Sequence, residues 1–296
     1  MTHSTDTITR IATQSVFPQL WEIPDPPDSL YALGDLPRPN LPLLTVVGSR
    51  RATQYGKDVC ERLVTGLAGF DIGIVSGLAL GIDGCAHNAA LRAGLPTYAF
   101  PGSGLAQEVL YPRSHLSLAH RIVAEGGALL SEFEPEFAAT PWTFPKRNRL
   151  MAGVSKAVLI IEATERSGTL ITARLALEYN RDVLAVPGSI FAGASRGANA
   201  LIARGATVIQ SSDDIVEALG LFQHSSEAQP KSSSSIHSKC SPAETRILSA
   251  VQNAPLSRTE LGESTGLTAQ EIAMALTTLE IKGLVRERAG HIYSTT

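Results

Sequence analysis

A short basic run stands out among the residues of this chain that could do chemistry. Lys146, Arg147 and Arg149 place three cations within four residues, with Asn148 beside them. Arginine presents a planar fork of N–H donors that matches phosphate, and lysine presents a compact positive charge. Arg50 follows an apolar segment about a hundred residues earlier. If the two segments meet in the fold, they form a pocket for anions.

Small residues follow five of the apolar segments. Glycine and serine leave backbone N–H groups and hydroxyls exposed, and the N-terminus of a following helix adds partial positive charge. Small residues also simply permit tight turns, but five such turns at one edge of a sheet favour a phosphate-binding surface. The turns are Gly48-Ser49-Arg50, Ser76-Gly77, Pro101-Gly102-Ser103, Ser167-Gly168-Thr169 and Pro187-Gly188-Ser189.

The elements that must position these turns alternate along the chain. Short apolar strands separated by helices predict an α/β fold with a Rossmann-like, mostly parallel sheet and helices on both faces. Ligands of such sheets bind at the carboxyl ends of the strands. Strands are predicted at Leu43–Val47, Ile72–Ser76, Thr97–Phe100, Ala128–Ser131, Ala157–Glu162 and Val183–Val186, with a weaker one at Thr207–Ile209. Helices are predicted at about 55–68, 82–93, 114–125, 146–154, 169–180 and 196–204.

Composition divides the chain into four parts. Residues 1–40 are polar and then proline-rich, which predicts an N-terminal arm packed on the next domain. Residues 41–220 form the Rossmann-like domain, and the serine-rich segment 221–240 is typical of a flexible linker. Residues 241–296 contain three helix patterns and a hairpin pattern, the arrangement of a small winged-helix domain.

Composition also excludes several classes of protein. The net charge of the 296 residues is −3, so nucleic-acid binding requires a local basic patch. Three scattered cysteines without a CxxC pair predict neither a disulfide framework nor a structural metal site, and Cys60 and Cys85 are predicted to be buried thiols. No GxGxxG fingerprint or P-loop occurs, so no nucleotide cofactor is expected. Without a secretion signal or an apolar stretch of membrane-spanning length, we expect a cytoplasmic protein with no membrane partner.

Few residues fit an enzyme mechanism. Asp83 and His87 stand four apart on a predicted helix and could form a metal or acid–base pair, although Asp83 fits better as the cap of that helix and His87 as a packing residue. Glu162 ends a predicted strand and could act as a general base or pair with Arg147 or Arg149. Because no nucleophile has an attached base, we expect no enzymatic activity.

Residues 17–219 resemble the DprA/Smf family, the bacterial DNA-processing A proteins. The block from Phe144 to Gly188 is the most specific part of this resemblance. The matching segments are FPQLWEIPDPPDSLYALGDL, VVGSRRATQYG, SGLALGIDGCAHNAAL, GSGLAQEVLYP, FPKRNRLMAGVSKAVLIIEATERSGTLITARLALEYNRDVLAVPG and RGANALIARGA.

The resemblance implies an extended Rossmann-like fold that binds single-stranded DNA. It implies a mediator that loads the RecA recombinase on that DNA in natural transformation and recombination, and a homodimer formed through the Rossmann domain. The family's phosphate pocket corresponds to three segments that the glycine turns and the basic run also indicate. Its residues are Gly48, Ser49, Arg50, Lys146, Arg147, Asn148, Arg149, Ser167, Gly168 and Thr169.

Two alternatives from other classes stay open. One is a Rossmann-type nucleoside monophosphate hydrolase, whose glycine–threonine turn Ser167-Gly168-Thr169 partly echoes. The other is a non-catalytic interaction scaffold whose partner binding survives loss of Arg50. In the winged helix, the predicted recognition helix Thr268–Lys282 carries Glu271 and Glu280. A helix that reads DNA is normally basic, so a protein contact or a weak accessory role is expected there.

Overall fold

The computed structural model describes residues 7–221, 241–251, 256–281, 284–288 and 291–294. The chain divides into two compact units, Met1–His224 and Ser225–Thr296. The predicted linker, apart from Leu221, lies outside the described residues.

A nine-stranded sheet forms the centre of the first unit. Its strands lie in the order β1-β2-β6-β5-β4-β3-β7-β8-β9, and all neighbours from β6 to β9 in this order are parallel. The strands are β1 (Thr9–Ala12), β2 (Ser29–Gly34), β3 (Leu43–Val47), β4 (Gly73–Ser76), β5 (Thr97–Ala99), β6 (Ala128–Ser131), β7 (Ala157–Ile160), β8 (Asp182–Ala185) and β9 (Thr207–Val208). All seven predicted strands are present, and two match their predicted bounds.

Helices cover both faces of this sheet, as the alternating pattern predicts. They are α1 (Thr13–Val16), α2 (Gln54–Thr65), α3 (Ile82–Arg92), α4 (Leu116–Ala124), α5 (Thr143–Val154), α6 (Gly168–Glu178), α7 (Arg196–Ile202) and α8 (Ser212–Leu219). Short 3₁₀ helices lie at Pro18–Glu22, Arg113–His115 and Gly193–Ser195.

The central strand β3 shows why the sheet needs cover on both sides. Its five residues are all buried. Leu43 and Val47 pack into the apolar layer that includes α5 and α6, whereas Leu44 and Val46 pack into the layer that includes α2 and α3. The aliphatic residues of β3, interrupted only by the buried Thr45, are thus typical of a strand covered on both faces. The α/β fold class is confirmed.

The segment predicted as an N-terminal arm belongs to the sheet. β1 pairs with β2, and β2 pairs with β6, both in antiparallel register. β2 satisfies the backbone groups along β6 that would otherwise form an unpaired edge. Strands β1 and β2 thus extend the sheet, whereas Phe17 and Leu20 between them are buried in the apolar layer that includes α5.

Strand order places a crevice between β3 and β7. After β3 the chain runs through β4 and β5 to β6 on one side, then returns to β7 and continues to β9 on the other. The loops after β3 and β7 therefore diverge, which opens a ligand site at the carboxyl ends of these two strands.

The second unit has the winged-helix architecture that the sequence predicts. Its elements are α9 (Pro242–Val251), β10 (Leu256–Ser257), α10 (Arg258–Thr265), α11 (Ala269–Ile281), β11 (Val285–Arg288) and β12 (His291–Ser294). The three strands form a sheet in the order β10-β12-β11. Ser257 caps α10 and accepts a hydrogen bond from the backbone N–H of Glu260. Within the described residues of both units, no helix is long and apolar enough to cross a lipid bilayer.

Candidate functional site

A cleft of about 680 Å³ opens at the crevice between β3 and β7. It brings together most of the residues that the sequence predicted for phosphate binding. Those that line it are Gly48, Ser49, Arg50, Arg147, Asn148, Ser167, Gly168 and Thr169. Lys146 and Arg149 are not among its lining residues.

The turn after β3 forms one wall of the cleft. A Cβ on Gly48 would lie 2.6 Å from Cγ1 of Ile82, so a side chain at Gly48 does not fit against α3. The Ser49 hydroxyl accepts a hydrogen bond from the backbone N–H of Arg51 at 3.1 Å. This compact turn projects Arg50 from the strand end into the cleft.

The N-terminus of α6 forms the opposite wall. The Ser167 hydroxyl caps the helix by accepting a bond from the backbone N–H of Thr169 at 3.1 Å. The Thr169 hydroxyl donates to the carbonyl of Gly48 at 3.1 Å and so ties the two walls together. The positive end of an eleven-residue helix faces the space beside Arg50.

Arg50 lies over an aromatic ring. Its guanidinium carbon is 4.7 Å from the centroid of Phe144, a cation–π distance. The Phe144 ring in turn packs against Tyr111 at 5.8 Å between centroids. Tyr111 is half exposed and was not among the predicted residues, because nothing in the local sequence links it to Phe144. The neighbouring Trp142 packs edge-on against Phe133 and Phe137 instead.

Arg147 supports the floor of the cleft from inside. It is buried and donates to the carbonyl of Phe100. Burial lowers the pKa of Arg147 to about 10, against the opposing charge of Asp83, so the guanidinium stays protonated at neutral pH. A Cβ on Gly77 would overlap this guanidinium, which explains why the turn after β4 has glycine there.

Asp83 also serves this floor. Its carboxylate accepts hydrogen bonds from the backbone N–H groups of Gly77 at 3.1 Å and Ala79 at 3.4 Å. Burial raises the pKa of Asp83, and the charge of Arg147 opposes that rise. The prediction that Asp83 caps its helix is wrong, because α3 begins at Ile82 with Gly81 as the cap and Asp83 lies inside the first turn.

The rest of the predicted basic run faces away from the cleft. Arg149 donates to Glu132 at 2.5 Å and to the carbonyl of Asp25, and Lys146 lies 3.4 Å from the same Glu132 carboxylate. The physical reason is that α5 begins at Thr143, so the whole run is helical. Residues two apart on a helix project about 200° from each other, which sends Arg147 and Arg149 to opposite sides. DNA binding by Lys146 and Arg149 stays a prediction.

The Glu162 carboxylate binds the residue that caps the start of α2. Its carboxylate accepts from the backbone N–H of Thr53 at 3.0 Å and from the Thr53 hydroxyl at 2.5 Å, and Thr53 is the N-cap of α2. Among the residues that the structure describes, neither Arg147 nor Arg149 pairs with Glu162. The carboxylate therefore holds the loop that follows Arg50.

His87 lies in the core, where it contacts the Thr97 hydroxyl. Its Nδ1 is 2.8 Å from the Thr97 hydroxyl, and its Nε2 has no protein partner within the described structure. Burial, followed by the charges of His115 and Arg147, lowers the pKa of His87 to about 3. In the part of the chain described, no group of three or more His, Cys, Asp or Glu side chains could hold a metal ion.

The buried His87 predicts a specific loss of stability in acid. The unfolded side chain takes up a proton near pH 6.5, whereas the folded one stays neutral to about pH 3, so protons favour the unfolded chain in between. We expect the free energy of unfolding to fall by about 2 kcal/mol between roughly pH 6.5 and pH 5 through this group alone. Urea unfolding across this range measures it. The variant His87→Gln, which cannot titrate, is the control, and an equal pH slope in both proteins would contradict the assignment.

Comparison with known families assigns both units. Residues 8–220 match the family DNA recombination-mediator protein A, and residues 226–291 match the DprA winged helix domain.

Individual relatives agree with this assignment. Protein Smf of Escherichia coli strain K12 is 42% identical over 207 residues, which are 70% of this chain and 55% of the relative, so the chain spans just over half of that protein. DNA processing protein DprA of Bacillus subtilis strain 168 is 42% identical over 206 residues, 68% of this chain and 67% of the relative.

Solved structures give the same result. DprA of Streptococcus pneumoniae has a TM-score of 0.67 at 37% identity and covers 71% of this chain and 74% of its own. DNA processing protein A of Helicobacter pylori, described for its binding of single-stranded DNA, has a TM-score of 0.63 at 29% identity, covering 72% and 96%. The fold, the cleft and these similarities together show that the chain belongs to the DNA recombination-mediator protein A family, which is the DprA/Smf family.

Proposed function

We propose that this protein binds single-stranded DNA through its backbone phosphates in the cleft between β3 and β7. The observation that carries the proposal is the position of Arg50. It stands on a tight turn, over the ring of Phe144, opposite the positive end of α6. A phosphate in this space meets a forked cation and a helix N-terminus together.

The aromatic surface beside Arg50 favours a single strand over a duplex. Phe144 and Tyr111 offer ring faces on which unpaired bases can stack, and such stacking tolerates every base. Phosphate contacts position a nucleic acid without reading its sequence. The expected binding is therefore tight, salt-sensitive and nearly independent of sequence.

The wider role that we propose is that of a recombination mediator. In this role the protein loads RecA on incoming single-stranded DNA during natural transformation and recombination, acts as a homodimer and works in the cytoplasm. Its membership of the recombination-mediator family supports the role, as does the single-stranded DNA binding of the Helicobacter pylori relative. The rate of RecA filament assembly on single strands, with and without the protein, tests the loading step.

Fluorescence anisotropy of a labelled oligo-dT across a salt series tests the proposed binding. We expect log affinity to fall linearly with log salt, by about 0.7 for each phosphate contacted. Deletion of residues 222–296 should leave most of the affinity in place, because the cleft lies wholly in the first unit. No binding at low salt would overturn the proposal, and a collapse on deletion would move the site to the winged helix.

Stacking on Phe144 is tested separately from charge. The variant Phe144→Leu keeps an apolar side chain but removes the ring, and we expect about a tenfold weaker affinity for oligo-dT, since one base–aromatic stack is worth roughly 1–3 kcal/mol. The salt dependence should stay close to that of the wild type because no phosphate contact is removed directly. Phe70→Leu is the matched control. Phe70 precedes β4 and therefore lies at the amino-terminal ends of the parallel strands, whereas the cleft lies at their carboxyl ends. An unchanged affinity of Phe144→Leu would exclude stacking on this ring.

We propose that the protein binds DNA without catalysing a reaction. An assay for nucleoside monophosphate hydrolysis, the alternative activity, tests this part of the proposal. Hydrolysis of a nucleotide needs a group that can activate water. Among the described residues lining the cleft, Asp83 is the only carboxylate, and its oxygen already accepts two backbone N–H groups. We expect no release of free base from nucleoside monophosphates, and release that depends on Asp83 would establish the enzyme instead.

A further inference from the structure

Two cysteines meet across the interface between α2 and α3. Cys60 lies on α2, with its sulfur 3.9 Å from the carbonyl of Ile82 on α3. Cys85 lies on α3, with its sulfur 3.4 Å from the carbonyl of Lys57 on α2. On the opposite helix, each sulfur thus contacts the carbonyl of the residue three positions before the other cysteine.

This reciprocal geometry brings the two sulfurs together. Side chains on a helix lean toward its N-terminus, so each sulfur lies at the level of the residue about one turn earlier. For Cys60 that level is Lys57 and for Cys85 it is Ile82, the two residues that the opposite thiols contact. Each thiol also shifts the pKa of the other, as neighbouring groups do. Cysteines that face each other across a packed helix interface can be bridged without backbone movement when their Cβ vectors converge.

The two thiols differ in access and acidity. Cys60 is buried, as predicted, but Cys85 is partly exposed. The neighbouring Cys60 thiol lowers the pKa of Cys85, together with Arg92 and Lys57 and against burial and the Glu61 charge. The Cys85 thiol and burial raise the pKa of Cys60. An accessible thiol with a favoured thiolate is the form that reacts with oxidants, and a protected thiol beside it is placed to complete a disulfide.

We propose that Cys85 and Cys60 form a peroxide-sensitive dithiol, in which Cys85 is oxidised first and Cys60 then closes a reversible disulfide between α2 and α3. In the first step the Cys85 thiolate attacks a peroxide oxygen, the O–O bond breaks, and Cys85 sulfenic acid forms as hydroxide leaves. In the second, the Cys60 sulfur attacks the Cys85 sulfur, the S–S bond forms, and the S–O bond breaks. The thiol protons and the released hydroxides end as two waters, so two electrons pass from the thiols to one peroxide.

The disulfide would join the helix that follows one wall of the cleft to the helix that follows its floor. α2 starts after the turn that carries Arg50, and α3 starts after the turn held by Asp83. The crosslink is independent of whether DNA binds in that cleft. Its formation can therefore be measured on the protein alone.

The experiment treats the full reduced chain with hydrogen peroxide, blocks the remaining thiols under denaturing conditions and maps the peptides by mass spectrometry. We expect a linked Cys60–Cys85 peptide, its loss on reduction with dithiothreitol, and a higher Tm for the oxidised protein, since a crosslink restricts the unfolded chain. Cys240→Ser is the matched control and should form the same linked peptide. In Cys60→Ser, Cys85 should be trapped by dimedone as a sulfenic acid, whereas in Cys85→Ser the buried Cys60 should stay unmodified.

Several results would overturn the proposal. Both thiols could remain free to alkylate after peroxide treatment, or Cys85 could be found linked to Cys240 or to a second copy of the chain. Direct oxidation of Cys85 to the sulfinic acid without a linked peptide would also overturn it. The peptide map of the wild-type protein decides among these outcomes even if a serine variant does not fold.

Discussion

Replacement of Arg50 by alanine is expected to weaken binding to all single-stranded DNA by about 10- to 100-fold, the range that roughly 1.5–3 kcal/mol for a hydrogen bond to a charged group implies. Arg50 is exposed at the cleft, and among the described residues no carboxylate forms an ion pair with it. Its charge is therefore available to a phosphate. Anisotropy with oligo-dT and with a mixed-sequence oligonucleotide measures the loss.

The salt dependence gives this prediction a second readout. Loss of one phosphate contact should reduce the slope of log affinity against log salt by about 0.7. Arg92→Ala removes the same charge from the C-terminal end of α3, which lies away from the carboxyl ends of the strands. This variant should change neither the affinity nor the slope. An equal loss in both variants would mean that only the net charge matters. A loss confined to one oligonucleotide sequence would contradict phosphate binding.

Replacement of Arg149 by alanine is expected to act on stability instead. The variant leaves Glu132 without the guanidinium that lies 2.5 Å from it, in a place where the two side chains are only 10% and 15% exposed. Removal of one partner of a buried pair costs about 3–5 kcal/mol when the other charge is left uncompensated. We expect the lower part of that range, because Lys146 still lies 3.4 Å from the Glu132 carboxylate. We expect the Arg149→Ala variant to show a clearly lower free energy of unfolding in urea. The folded fraction should bind oligo-dT as the wild type does.

A double variant separates the lost pair from lost packing. Arg149→Met combined with Glu132→Leu replaces both charges by apolar groups, and such replacements are often neutral or stabilising. We expect the double variant to be more stable than Arg149→Met alone. If Arg149→Ala unfolds like the wild type but loses DNA affinity, the sequence-based assignment of Arg149 to the DNA site is correct and the structural one is not.

The parts of the fold that sequence could predict are those with a strong local pattern. β3 consists of five buried residues in a parallel sheet, so its apolar run is unmistakable and its bounds were predicted. The turns after β3 and β7 were predicted to meet because carboxyl ends of parallel strands share one edge. They do meet, through the bond from Thr169 to Gly48.

The parts that were missed depend on partners distant in the chain. In β2 buried and half-buried residues alternate over only six positions beside prolines, and β6, its partner, lies far along the chain. α8 was also not predicted, although its start is marked locally, because Ser211 and Asp214 form a capping box that the sequence contains. The opposite directions of Arg147 and Arg149 also follow from helical spacing once α5 is known to begin at Thr143.

The pairing of β2 with β6 has a consequence for how the chain folds as it is made. β2 is synthesised before the parallel core, yet its register joins Gly34 to Ala128. The strand cannot take its place until β6 has left the ribosome. Pairings between segments so far apart in the chain form slowly. Until they form, the unpaired strand edges favour aggregation. Translation pauses between β3 and β6 would therefore prolong the period in which this early strand is open to association with other nascent chains.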